Sequence, residues 1–171
     1  GQCLMSSMIG GRSGNRGHCA QPCRLSYKLQ KNGNDIKSGY LLSPKDMCTI
    51  KILPDIIKAG VYSLKIEGRM KSPEYTAGVV SIYRKYVDKI IEKGFEGYKV
   101  SEEDYNMLEQ LYSRSGFNQG YYNMHNGKEM MTFKKPSYSG KSDQIINRIN
   151  ELYIKNDKKI KITGSISIYE G

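Results

Sequence analysis

Val61-Tyr62-Ser63-Leu64-Lys65-Ile66-Glu67-Gly68-Arg69-Met70-Lys71-Ser72-Pro73-Glu74 is the stretch from which the fold class follows. Val61 to Ile66 reads as a buried-type strand, with Leu64 and Ile66 pointing one way and Lys65 and Glu67 the other. Ser72-Pro73-Glu74 then starts a helix, with Ser72 as cap and Pro73 at the first helical position, where its missing N–H is no loss. Tyr75, Val79, Tyr83, Tyr86 and Ile90 recur at helical spacing as far as Gly94, which predicts one long amphipathic helix. The same order occurs just upstream. Tyr40 to Ser43 is a short apolar strand, and Asp46 to Ala59 has helical spacing through Met47, Ile50, Leu53, Ile56 and Ile57 before Gly60. Pro54 marks either a kink there or the first turn of a second segment. Strand, helix, strand, helix with short links is the repeating unit of a parallel α/β sheet. Two such units cannot close a sheet, so further strands are expected before Gly1.

Outward from this pair the chain is less regular. Residues 1 to 24 read as a loop, because Gly10, Gly11, Gly14 and Gly17 oppose a stable helix. Leu25 to Leu29 and the chain from Ile36 read as two arms of a hairpin around the tight turn Asn32-Gly33-Asn34. After Gly97, Ser101-Glu102-Glu103-Asp104 is a capping-box-like start for a helix using Tyr105, Leu108, Leu111 and Tyr112. Phe117 to Gly140 reads as a long extended linker. Ser142 opens another helix with Ile145, Ile146, Ile149 and Leu152 on one face, and Ile160, Ile162, Ile166 and Ile168 alternate along a last strand interrupted by Gly164. The expected division is 1–99 for the strand-helix portion with its cysteine-rich loop, 100–141 for a helix and extended linker, and 142–171 for a helix and the first strand of a following domain.

A chain of 171 residues has room for one or two compact units. With 38% apolar and 26% charged residues it can fold, and with no Trp and 3 Phe its aromatic mass lies in 14 Tyr. No run of about 18 apolar residues occurs and Gly1 to Met8 lack signal-peptide features, so a soluble cytoplasmic protein with no membrane partner is expected. The first residue is Gly rather than Met, and the chain stops at Tyr169-Glu170-Gly171 within an apolar alternation, so an excerpt of a longer protein is expected. Lys and Arg number 27 against 17 Asp and Glu, a formal net charge of +10. That charge favours anionic partners, or is a plain solubility charge. Its distribution is more telling: Arg12, Arg16, Arg24, Lys28 and Lys31 lie in a stretch from Gly1 to Asn34 that has no carboxylate.

Three of the four cysteines share that stretch. Cys3, Cys19, Cys23 and Cys48 match neither zinc-ribbon nor ferredoxin spacing, and buried or incidental thiols are the plain alternative. The loop's arginines and bare amides would nevertheless stabilise thiolates and the negative charge of an iron-sulfur cluster. Gly10 to Gly17, with Arg12, Asn15 and Arg16, lacks the spacing of a nucleotide loop yet suits an anion; with Arg24 these are the candidate substrate-binding residues. Lys65 and Glu67, followed by Arg69 on the loop toward the helix, occupy the place where barrel enzymes keep catalytic groups. A structural Lys–Glu pair is the alternative. Arg69 could clamp a carboxylate or phosphate bidentately. Only two histidines occur, His18 and His125, without the spacing of a zinc protease.

Three segments together resemble the collagenase-like peptidase family U32: Gly1-Gln2-Cys3-Leu4-Met5-Ser6-Ser7 leading into Gly11-Arg12-Ser13-Gly14-Asn15-Arg16-Gly17-His18-Cys19-Ala20-Gln21-Pro22-Cys23-Arg24, then Leu42-Ser43-Pro44-Lys45-Asp46-Met47-Cys48, then Ser63 to Lys71. Ser115-Gly116-Phe117-Asn118-Gln119-Gly120-Tyr121 looks like the family's post-barrel segment. The resemblance implies an α/β fold: the C-terminal part of a (β/α) barrel, its last two strand-helix units, with a helical and extended post-barrel segment and the start of a small β domain. It implies a 4Fe-4S cluster in the full-length protein, with Cys3, Cys19 and Cys48 as three ligands, the fourth before Gly1, and Cys23 as a substitute. It also implies a part in hydroxylating an RNA base in tRNA or rRNA. Lys65, Glu67 and Arg69 would then bind substrate or a small organic acid donor. Peptide-bond hydrolysis is the alternative, with a protein or peptide substrate. A second alternative is that the excised chain is an inactive interaction module.

Overall fold

In the computed structural model, residues 3–123, 125, 127–136, 142–155 and 163–165 are described. We number the elements along the chain: α1 (Met5–Gly10), β1 (Tyr27–Lys31), β2 (Asn34–Gly39), β3 (Asp46–Met47), α2 (Leu53–Lys58), α3 (Pro73–Lys93), α4 (Glu102–Tyr112), β4 (Phe117–Asn118) and α5 (Asp143–Ile149).

The core is built on α3. Ser72 caps it by accepting from Tyr75 N–H at 3.3 Å, Glu74 and Lys93 sit at the dipole-favoured ends, and Gly94 with φ 76° stops it. Its buried stripe is Gly78, Val79, Ile82, Tyr86 and Ile90. Against it pack α4, capped by Ser101 and acidic through its first turn, and α5, whose Ile149 is wholly buried. Gly78 is what permits this approach: a Cβ there would lie 2.6 Å from Leu111 Cδ1 and 2.8 Å from Ile149 Cδ1. The same apolar cluster contains Cys48, Ile50 and Leu53 from before α3 and Val100, Leu108 and Leu111 after it. Side chains from both sides of residues 99 and 141 therefore share one core.

The Tyr86 hydroxyl is the polar centre of the α3–α4 contact. It donates to Asp104 Oδ2 at 2.7 Å and accepts from Ser101 N–H at 2.8 Å, while Lys85 Nζ reaches the same carboxylate at 2.7 Å. Burial pushes the Asp104 carboxyl up, but the hydrogen bonds from Lys85, Tyr86 and Ser101 outweigh it and hold the group below its ordinary value.

Residues 3–47 are built differently. After α1 come two 3-10 turns, Gly14–Arg16 and Pro22–Arg24, then the antiparallel ribbon β1–β2. Asn32 and Gly33 both have positive φ, 52° and 82°, the conformation a tight hairpin turn requires. A bulge falls between Leu29 and Gln30. β3 pairs with β4 in parallel, Asp46 opposite Phe117 and Met47 opposite Asn118, and Pro44 bridges Met131.

Several expectations resolve differently. Tyr40 to Ser43 is a turn rather than a strand, and the expected helix over Asp46 to Ala59 divides into β3, a 3-10 turn Ile50–Ile52 and α2, with Pro54 in the first turn of α2. Val61 to Ile66 is neither strand nor helix, and no strand pairs with it among the described residues. Its alternation survives all the same: Leu64 and Ile66 pack against the core while Lys65 and Glu67 are exposed. The stretch read as a linker from Phe117 supplies β4 and a 3-10 turn, Lys128–Met130. The alternation over Ile160, Ile162, Ile166 and Ile168 lies outside the described residues. Among those described, no helix is long and apolar enough to cross a membrane.

Candidate functional site

The cysteine loop is fastened to the rest of the molecule by two arginines. Arg114 lies just after α4 and meets Asp46 at the start of β3. Its backbone N–H donates to Asp46 Oδ2 at 2.7 Å, its Nη2 to Oδ1 at 3.1 Å, and its Nη1 to Gln21 Oε1 at 3.0 Å. The two ionic side chains are only 13% and 20% exposed, so this pair is shielded from the screening that weakens surface ion pairs. Arg24 makes the second latch, donating to Ser43 Oγ at 2.5 Å and to Pro44 O. Both arginines thus tie the turn at residues 21–24 to the segment entering β3.

That turn is itself constrained. Gln21 has φ 55°, a left-handed conformation that costs a non-glycine residue roughly 1–2 kcal/mol. Its backbone N–H donates to Cys19 Sγ at 3.3 Å and its side chain is held by Arg114. Lys71 lies beside the same cluster: burial pushes its ammonium down to about 8, with Arg114 and Arg24 adding to the effect and Asp46 opposing it.

Cys3 is exposed, Cys19 and Cys23 are half-buried, and Cys48 is buried. Burial pushes the Cys23 thiol up; Arg24 pulls it down, and Cys19 and Cys3 push it up again. Cys48 is elsewhere, in the apolar core with its sulfur 3.9 Å from the Tyr83 hydroxyl, and burial raises its thiol as well. Among the described residues no three His, Cys, Asp or Glu side chains are grouped to hold a metal ion. Cys3, Cys19 and Cys48 do not form a donor set in this conformation, because Cys48 packs with the helices and the other two lie in the loop.

Of the other candidate residues, Arg12 donates to His18 O at 2.9 Å, and Arg69 donates to Asn15 O, which brings the Gly-rich loop against the loop after Ile66. Arg16 is exposed. Arg69 also grips Glu67 with Nη2 at 2.7 Å and Nε at 3.0 Å, and Lys65 stands 3.9 Å from the same carboxylate. The Arg69 bonds, first the side chain and then the backbone N–H, hold Glu67 down to about 2. Lys65, Glu67 and Arg69 are therefore one exposed ionic group rather than a buried plug. Arg24 alone among the four expected substrate-binding residues belongs to the Asp46 cluster. Gln21, Asp46, Lys71 and Arg114 were not among the expected site residues. Asp46 and Lys71 stand inside motifs that are visible in the sequence, whereas Arg114 carries no local signal.

A cavity of about 290 Å³ opens between Cys48 and the segment after α4, lined by Lys45, Lys51, Tyr105, Phe117, Asn118 and Glu129 among others.

Comparison with known proteins places this sequence in a family. An uncharacterised protease of Methanocaldococcus jannaschii is 36% identical over 128 residues, 71% of this chain and 30% of the relative. A tRNA hydroxylation protein of Bacillus subtilis is 45% identical over 96 residues, 52% of the chain and 23% of the relative. A 23S rRNA 5-hydroxycytidine synthase of Escherichia coli is 44% identical over 95 residues, 54% of the chain and 14% of the relative. The chain thus spans under a third of the length of each of these relatives. No solved structure matches. The model of peptidase family U32 matches residues 1–132, which include the cysteine loop, both arginine latches and the Glu67–Arg69 pair, and the chain belongs to that family.

Proposed function

We propose that this chain is part of an enzyme that hydroxylates a base of tRNA or rRNA. The reading is carried by the chain's 45% and 44% identity to a tRNA hydroxylation protein and an rRNA hydroxycytidine synthase. A cationic segment free of carboxylates from residue 1 to residue 34 adds charge complementarity to phosphate. In this reading Arg12, Asn15, Arg16 and Arg24 attract the RNA backbone, and Lys65 and Arg69, steadied by Glu67, contact the substrate or a small organic acid donor. A 4Fe-4S cluster and a (β/α) barrel belong to the same proposal for the whole protein. The cysteines of the cationic segment, whose arginines would favour a cluster's negative charge, are the ground for the cluster, and the in-out alternation at Leu64 to Glu67 is the ground for the barrel. Peptide hydrolysis has the family's name and the archaeal relative behind it. The test is nucleoside mass spectrometry of tRNA and rRNA from a strain lacking the gene. A hydroxylated nucleoside that disappears and returns on complementation is expected; an unchanged nucleoside profile would end the RNA reading.

A further inference from the structure

We infer that the cavity between Cys48 and the segment after α4 is a seat for one unpaired RNA nucleotide. The inference deepens the RNA reading and rests on it.

The cavity's frame is rigid. Asn118 donates from Nδ2 to Lys45 O at 2.8 Å and to Asp46 O at 3.3 Å, and its Oδ1 accepts from Gly120 N–H at 2.7 Å. Gly120 is needed there, since a Cβ would meet Met47 Sδ at 2.9 Å and its φ is 67°. The parallel pair β3–β4 therefore fixes Phe117 at one wall. Phe117 meets Tyr105 edge to face, with ring centroids 5.6 Å apart. Lys51 Nζ stands 3.7 Å from the centroid of the Tyr105 ring, which holds an ammonium at the cavity wall by cation–π attraction. Lys45, Gln119 and Glu129 also line the cavity.

This combination selects its ligand by chemistry. An aromatic wall takes a flat ring, fixed ammonium groups take a phosphate, and an amide with a carboxylate can read the hydrogen-bonding edge of a base or a ribose hydroxyl. A volume of about 290 Å³ is of the order of one nucleotide. Enzymes that modify a base must take it from a single strand or extrude it from a duplex, and a pocket of this size receives such a base. Neither Lys51 nor Gln119 is part of the core, so both can be changed without opening it.

The test is a two-dimensional NMR titration of the full 171-residue chain with each of the four ribonucleoside 5′-monophosphates, with ribose 5-phosphate, with inorganic phosphate and with a short peptide. Binding of unstructured and hairpin RNA is followed in parallel by fluorescence anisotropy. Saturating shifts at Lys51, Phe117 and Gln119 are expected with at least one nucleotide, weaker with ribose 5-phosphate. Lys51→Gln should lower that affinity at least about tenfold, and Gln119→Ala should change the order of preference among bases, with the spectrum itself reporting that each variant is folded. RNA binding without nucleotide shifts in the cavity would overturn this inference and leave the RNA reading standing. Equal shifts from phosphate alone, or shifts from the peptide only, would overturn it too. Nucleotide binding in the cavity alongside an unchanged nucleoside profile in the deletion strain would uphold the seat and remove the hydroxylation reading.

Discussion

Residues 3–47 and residues 48–149 are held together by different forces. From Cys48 onward the chain buries Ile50, Leu53, Ile82, Tyr86, Leu111 and Ile149 almost completely, and each such side chain contributes roughly 1.5–3 kcal/mol by leaving water. Among the described residues before Cys48 the buried ones are Ser6, Pro22 and Ser43, none of them a large apolar side chain. That region depends instead on hydrogen bonds and ion pairs, each contributing about 0.5–1.5 kcal/mol net, or more when charged. The region that carries three cysteines and Arg12, Asn15, Arg16 and Arg24 is thus the one with the weaker hold, and Arg114 and Arg24 supply much of it.

Breaking the core should have the largest effect. Tyr86→Ala removes a wholly buried ring and leaves Asp104 and Ser101 without their shared partner, so a loss of about 3–5 kcal/mol in urea unfolding is expected. A smaller loss, roughly 2–3 kcal/mol, is expected for Arg114→Ala, which strands the half-buried Asp46 carboxylate. The double change Arg114→Ala with Asp46→Ala should cost less than the sum of the single changes, because the two groups share one interaction.

Acid sharpens the contrast. The folded-state pKa of Asp104 is depressed, so its contribution is fully present above the unfolded value near 4 and is lost as pH falls through the lower folded value. Stability should therefore fall on acidification below about pH 4, and Asp104→Asn should flatten that limb of the curve. Glu67→Gln sits at the bottom of the scale. The Glu67 side chain is 52% exposed and its pairing with Arg69 is solvated, so the unfolding midpoint should not move. A shift in that midpoint would mean that the loop after Ile66 supports the fold.

What the sequence made legible follows the same division. Helices α3 and α4 announce themselves through local chemistry, a Ser72-Pro73 start and a Ser101 to Asp104 cap, and the stripe of α3 was found at Val79, Tyr86 and Ile90, with Ile82 missed because Tyr83 beside it drew the pattern. The ribbon was legible from Asn32-Gly33, whose backbone preference is local. The strands expected at Tyr40 to Ser43 and Val61 to Ile66 did not form, because alternation marks which side chains face inward but does not supply a neighbouring strand. The Asp46–Arg114 latch joins residues 68 positions apart by polar groups, and nothing local in either one marks the pairing. Family motifs found the cysteines, but the burial of Cys48 in the apolar core beside Tyr83 is a packing outcome that no local motif marks.

The most direct test of this two-region account is amide hydrogen exchange on the wild-type chain and on Arg114→Ala. We predict faster exchange in the loop around His18, Ala20 and Arg24, with the α3 amides from Val79 to Ile90 unchanged. Exchange that rises equally in α3, or a loop that stays as protected as in the wild type, would contradict it.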